Sequence, residues 1–161
     1  MVKREDGRDL VPISDLLSYR LSRTSSALSR SAALRYRREF DVSLGEWRTI
    51  ALIAADPTLT LNRLARRAGL DKAQMSRVVR GLVERGLVSR TEGVGRSRQL
   101  ALTGAGVEVY RGLIGAANER DEAFSALLSG EEARVLGRAL EKLADLALSL
   151  ERVERERLED E

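Results

Sequence analysis

Residues 60–103 read TLNRLARRAGLDKAQMSRVVRGLVERGLVSRTEGVGRSRQLALT, and the punctuation of this stretch decides the fold. Leu61, Leu64, Ala65 and Ala68 recur at i, i+3, i+4 and i+7, the period of one helical face, and Gly69 follows at once. Asp71 is a good N-cap with Gln74 three positions on, and Met75, Val78, Val79, Leu82 and Val83 form the next apolar stripe. Two short helices joined by a tight glycine turn result. Gly86 closes the second, and short strands are expected over Leu87–Thr91 and Arg98–Leu102 around the tip from Glu92 to Ser97. Helix, turn, helix and hairpin, in that order, describe a winged helix-turn-helix, whose second helix is suited to a DNA major groove.

Long helices flank this centre. The first is expected from Ile13 or Ser14 to about Arg38, with Leu17, Leu21, Thr24, Leu28, Ala32 and Tyr36 at spacings of three to four. A second follows the capping-box pattern Ser43-Leu-Gly-Glu46, buries Trp47, Ile50, Ala51 and Ala54, and stops before Asp56-Pro57. After the hairpin, Thr103 caps a helix to about Leu128. Ser129-Gly-Glu-Glu132 then opens a last one carrying Leu136, Leu140, Leu143, Ala147 and Leu150. The fold class is therefore mainly α with a small β-hairpin wing. A single domain over 10–150 comprises the winged helix-turn-helix of 42–103 and long dimerisation helices over 10–40 and 104–150. Residues 1–9 read as a mobile charged arm and 151–161 as a charged, frayed helical extension. A first helix of about 26 residues spans roughly 39 Å, longer than a domain of this size covers alone, so a second copy is expected on its apolar stripe.

The chain has 161 residues, enough for one sizeable core, and contains neither histidine nor cysteine. Disulfides, thiol redox chemistry, Cys/His metal sites and imidazole or thiolate catalysis are thereby excluded. No catalytic residue, metal or cofactor is expected. Without a long apolar run or an apolar leader, the reading is cytoplasmic, with no membrane partner. The net charge of +3 conceals an asymmetry: residues 60–103 hold 10 basic and 3 acidic side chains, whereas 119–161 hold 7 and 13. A cationic middle beside an acidic tail suits one face meeting a polyanion.

On the second helix of the motif, Ala73, Gln74 and Arg77 are the expected base readers, since arginine can pair with guanine and glutamine with adenine through two hydrogen bonds each. Phosphate contacts are assigned to Thr60, Asn62, Arg63, Lys72, Ser76 and Arg80, with Lys72 nearer the buried side. Arg96 and Arg98 are assigned to the wing, Arg96 as the minor-groove residue. Structural alternatives stand beside these roles: Gln74 as the partner of the Asp71 cap, and Arg77 as an exposed arginine paired with Glu84. Gly93 and Gly95 do not make a nucleotide loop, because Arg98 stands where the dinucleotide fingerprint needs glycine.

Residues 43–106 resemble the MarR (multiple antibiotic resistance regulator) family of bacterial transcription factors. The matching segments are Gly45-Glu-Trp-Arg48, Leu64-Ala65, Gly69-Leu70-Asp71, Met75-Ser-Arg77, Leu82-Val-Glu-Arg-Gly-Leu-Val88, Arg90 and Leu102-Thr-Gly-Ala-Gly106. With the flanking helices, matched by pattern alone, the likeness extends over roughly residues 10–150. It implies a homodimer on double-stranded, pseudo-palindromic operators, usually a repressor, often released by a small molecule. The family's wing commonly carries an Asp two residues before the tip arginine, where this chain has Val94. Tyr19, Ser22, Ser26, Trp47, Arg48 and Tyr110 are the candidate pocket for an effector, an aromatic acid or thioester. The competing readings are a winged-helix architectural or protein-interaction module without sequence choice, and an enzyme using carboxylates or arginines alone, which nothing beyond composition supports.

Overall fold

The computed structural model describes residues 11–92 and 98–159. Its elements are α1 (Leu17–Phe40), α2 (Leu44–Ala55), α3 (Leu61–Ala68), α4 (Lys72–Glu84), β1 (Val88–Glu92), β2 (Arg98–Leu102), α5 (Gly104–Ser125) and α6 (Gly130–Glu159). They fall into two compact units, one ending at Ala116 and the other running from Ala117 on.

In the first unit, local chemistry sets the helix ends. Ser43 and Glu46 form a reciprocal capping box at α2, and Asp71 and Gln74 form another at α4. Thr60 caps α3 by accepting from the Arg63 N–H at 3.4 Å. Gly69 ends α3 at φ +70°, and Gly86, at φ +68°, follows the Arg85 C-cap of α4. Both turns use a left-handed backbone that glycine adopts without steric cost. The core draws on Val42, Ile50, Ile53, Leu59, Leu64, Met75, Val79, Leu82 and Leu113, all at most 3% exposed. Thr49, buried among them, donates to the Gly45 carbonyl at 2.8 Å. The hairpin is antiparallel in the register Val88↔Leu102, Arg90↔Leu100 and Glu92↔Arg98. Buried Leu87, Val88 and Leu100 anchor it to the core.

At α5 the backbone of Gly106 lies against the Leu87 carbonyl so closely that a Cβ there would overlap the oxygen. The Thr103 hydroxyl donates to the Gly86 carbonyl at 2.6 Å and accepts from the Gly106 N–H at 3.0 Å. The hairpin base and the start of α5 are thus locked together.

Three boundaries differ from the sequence reading. Ile13–Asp15 form a separate 3-10 turn, and α1 begins only at Leu17, because Leu16 is extended and offers no side-chain cap. The first strand is Val88–Glu92, one residue later than expected. Helix α5 ends at Ser125 rather than about Leu128. The helical extension expected after Leu150 is present and continues α6 to Glu159, held by the pairs Arg155–Glu151 at 2.7 Å and Arg157–Glu154 at 3.0 Å, one helical turn apart.

The second unit holds the end of α5 and all of α6. Ser129 and Glu132 cap α6 reciprocally, the Ser129 N–H donating to Glu132 at 2.8 Å and the Glu132 N–H to the Ser129 hydroxyl at 3.3 Å. No residue of α6 is buried: Leu136, Leu140 and Leu150 are 44%, 48% and 54% exposed. No described helix is long and apolar enough to cross a membrane.

Candidate nucleic-acid interface

The amphipathic wheel of α4 is met side chain by side chain. Met75, Val79 and Leu82 are inside, while Ala73, Gln74, Arg77, Arg80 and Glu84 are outside. Lys72, expected nearer the buried side, is exposed as the first residue of α4. Gly81 is half-buried. On α3, Leu64, Ala65 and Ala68 pack inward, and Thr60, Asn62 and Arg63 face out with Arg66.

The charge state of this surface is its strongest feature. Arg63, Arg66, Lys72, Arg77, Arg80 and Arg90 have no ion-pair partner among the described residues. The pairing of Arg77 with Glu84 weighed from the sequence does not form. Unpaired guanidinium groups beside the N-terminus of α3, whose dipole favours anions, make a surface that attracts phosphate, while the Asp71 carboxylate already caps α4. No acidic side chain occupies the first turn of α3 or α4.

Gln74 is already engaged. Its side-chain oxygen accepts from the Asp71 N–H at 3.2 Å, and its own N–H donates to the Asp71 carboxylate at 2.7 Å. Pairing with adenine through two bonds requires that same oxygen, so in the capped geometry Gln74 offers only its amide NH2 outward. Ser76 is half-buried and lines a cleft of about 240 Å³ with Leu61, Val79, Arg90 and Leu100, between the motif helices and the hairpin. Arg96 lies outside the described residues, as does the side chain of Arg98, whose backbone pairs with Glu92 in the hairpin.

The expected effector residues do not form one pocket within a single chain. Trp47 is tilted against Tyr36 at 5.7 Å between ring centroids and stacked on Tyr110 at 6.2 Å, so these rings pack on one another. Tyr19 instead lies beneath the Arg23 guanidinium at 5.9 Å. Seventeen residues of continuous helix separate it from Tyr36, roughly 25 Å at 1.5 Å per residue. Ser22, Ser26 and Arg48 are exposed.

Sequence reasoning missed Arg85. It donates to Glu46 Oε1 at 2.9 Å and to the Asp41 carbonyl at 2.9 Å, and approaches the Asp41 carboxylate at 3.6 Å. The C-terminal end of α4 is thereby tied to the α1–α2 junction. No local spacing signals a contact spanning about forty residues. Asp56, where α2 ends, accepts from the Thr58 hydroxyl at 2.6 Å and N–H at 3.0 Å, bonds that hold its carboxyl below the ordinary carboxylate range.

Residues 40–99 match the sequence profile of the MarR family. No curated protein matches the chain. Among solved structures, a MarR/EmrR family transcriptional regulator from Acinetobacter sp. ADP1 superposes with a TM-score of 0.78 at 23% identity, covering 86% of this chain and 99% of that one. Staphylococcus aureus MepR in complex with DNA gives 0.75 at 20% identity, covering 83% and 98%. A Mycobacterium tuberculosis MarR family protein in complex with p-aminosalicylic acid gives 0.66 at 27% identity, covering 80% and 98%. The helix order and the two-stranded hairpin are those of a winged helix-turn-helix, and residues 40–99 within it match the MarR family profile.

Proposed function

We propose that the chain is a sequence-specific, homodimeric DNA-binding repressor, released from a pseudo-palindromic operator by a small aromatic acid or thioester. The observation that carries the DNA reading is the outer face of α4. Ala73 and Arg77 are exposed near its N-terminal end, and Lys72, Arg77 and Arg80 make no ion pair among the described residues. Arg77 is the residue assigned to bases. Thr60, Asn62, Arg63, Lys72 and Arg80 are assigned to phosphates, with Arg96 and Arg98 of the wing. The exposed leucines of α6 support the homodimer, because an apolar row on a helix of 30 residues requires cover. The effector reading draws on the relative solved with p-aminosalicylic acid. Catalysis has no part in this proposal.

Enrichment of duplexes from a random-sequence library tests it. The full chain is expected to select a sequence with inverted repeats about one DNA turn apart, and to bind it about a thousandfold or more above random duplex. Arg77→Ala should relax the preference at one base pair of each half-site, at a cost of about 1–3 kcal/mol per contact. Arg96→Ala should instead weaken all duplexes alike and flatten the salt dependence by about one unit of slope. Equal affinity for every sequence would favour the architectural alternative.

A further inference from the structure

The corner between α1 and α2 consists of Asp41, Val42 and Ser43. Asp41, the C-cap of α1, is the only described non-glycine residue at positive φ, +49°, a conformation that its contacts must hold in place. Val42 is fully buried and Ser43 is committed to the α2 cap, so a change of angle between the two helices falls on Asp41. Arg37, one turn back on α1, pairs with its carboxylate at 2.9 Å.

Arg85 spans this corner from α4, of which it is the C-cap. Its Nη2 donates to the Asp41 carbonyl at 2.9 Å and lies 3.6 Å from the Asp41 carboxylate, while Nη1 donates to Glu46 Oε1 at 2.9 Å. The other oxygen of Glu46 accepts from the Ser43 N–H at 2.8 Å. One guanidinium therefore holds the end of α1 and the first turn of α2 at once, and the carboxylate it grips on the α2 side is the one that caps that helix. The Glu46 side chain is only 16% exposed. A planar fork with several fixed partners holds where an isolated surface pair does not.

We infer that Arg85 is a positioning residue for sequence recognition: by clamping the α1–α2 corner it fixes the angle between α1 and the winged body, and with it the operator spacing that a dimer accepts. The inference rests on the reading of the chain as a homodimeric DNA binder and names what sets the spacing of its base readers. In that reading α1, with Leu17 and Leu34 exposed, belongs to the dimer, while α4 meets the bases. Arg77 lies eight residues along α4 from Arg85, about 12 Å at 1.5 Å per residue. A turn of about 10° at the corner carries Arg77 about 2 Å, and its counterpart across the twofold axis moves as far the other way. The sum, up to about 4 Å, exceeds one base-pair step of about 3.4 Å. A loosened corner is therefore read as lost discrimination between operators that differ in spacing by one base pair.

Fluorescence anisotropy of the full chain tests the role on the library-enriched duplex, on that duplex with one base pair added or removed between its repeats, and on random duplex. The parent is expected to prefer the enriched spacing at least about tenfold over both altered ones. Arg85→Lys keeps the charge and loses the fork, and Glu46→Gln still completes the α2 capping box through its amide oxygen. In both, the spacing preference should fall below about threefold while affinity for random duplex stays within about twofold of the parent. A parent indifferent to spacing, or a preference undiminished in both variants, overturns the inference. So does a uniform loss on every duplex with the spacing preference kept, since that marks a phosphate contact or a smaller folded fraction. The corner is also measured without DNA. The chain has no cysteine, so spin labels placed by Leu34→Cys and Ala73→Cys report the distance between α1 and α4, with labelled chain diluted in unlabelled chain to keep each pair within one molecule. Arg85→Lys should widen the distance distribution by at least about 1.5-fold at unchanged thermal unfolding, given the lever of α4. An equal width overturns the clamp. A chain that enriches no duplex refutes the DNA reading separately, and the spin-label comparison still decides the clamp.

Discussion

Replacing Gly106 by alanine tests the packing that orients the hairpin. An ideal Cβ at this position overlaps the Leu87 carbonyl oxygen, sits 3.0 Å from the Leu87 carbonyl carbon and 3.4 Å from Leu102 Cβ. The obstruction is backbone at the base of a strand, so no side-chain rotation relieves it. Either the start of α5 or the hairpin must move by about an ångström, an overpacking that costs about 1–3 kcal/mol. Movement also stretches the bonds that Thr103 makes: its N–H to the Leu87 carbonyl at 3.1 Å, its hydroxyl to the Gly86 carbonyl and the Gly106 N–H to that hydroxyl. Losing one or two of them adds about 1 kcal/mol each. Alanine returns up to about 1 kcal/mol through its better helix propensity. The net expectation is a loss of about 2–4 kcal/mol, which lowers the melting temperature by roughly 6–12 °C in a chain of this size. Gly104 provides the control, since a Cβ there meets nothing within 4 Å and Gly104→Ala should be neutral or slightly stabilising. Thermal unfolding followed by circular dichroism measures both variants. If Gly106→Ala melts with the parent, the close approach of α5 to the hairpin base does not hold the wing as argued.

Three further outcomes are expected. Asp71→Ala removes the acceptor of the Gln74 N–H and should destabilise the first unit by about 1 kcal/mol in urea unfolding; an unchanged midpoint would mean that the capping box contributes nothing. Asp56 titrates below its ordinary range because Thr58 bonds its charged form, chiefly through the hydroxyl. The stability it contributes is therefore present above the ordinary carboxylate pKa and lost as pH falls through the lowered one. Thr58→Val should accordingly be less stable than the parent at about pH 6, with the gap closing toward about pH 3, and a gap that widens on acidification would contradict the sign. Leu140→Glu, with or without Leu136→Glu, should shift the protein from dimer to monomer in sedimentation velocity, whereas a persistent dimer would remove α6 from the interface.

Much of the fold is legible one turn at a time. The starts of α2, α4 and α6 follow from Ser43 with Glu46, Asp71 with Gln74, and Ser129 with Glu132, because a cap is closed by groups three residues apart. Gly69 and Gly86 mark the ends of α3 and α4, since their backbone conformation is open to glycine and costly for most other residues. The exposed face of α4 follows from the 3.6-residue period once Met75, Val79 and Leu82 are recognised as core. What the residues alone left undecided are relations across distance. That Trp47 stacks on Tyr110 and packs against Tyr36 depends on where whole helices pack. The same holds for Arg85, which reaches Asp41 and Glu46 through space and closes a path that no periodicity encodes. Local hydrogen bonding and helical period are properties of neighbouring residues and can be read along the chain. Partnerships between remote side chains exist only once burial of the core has brought their backbones together.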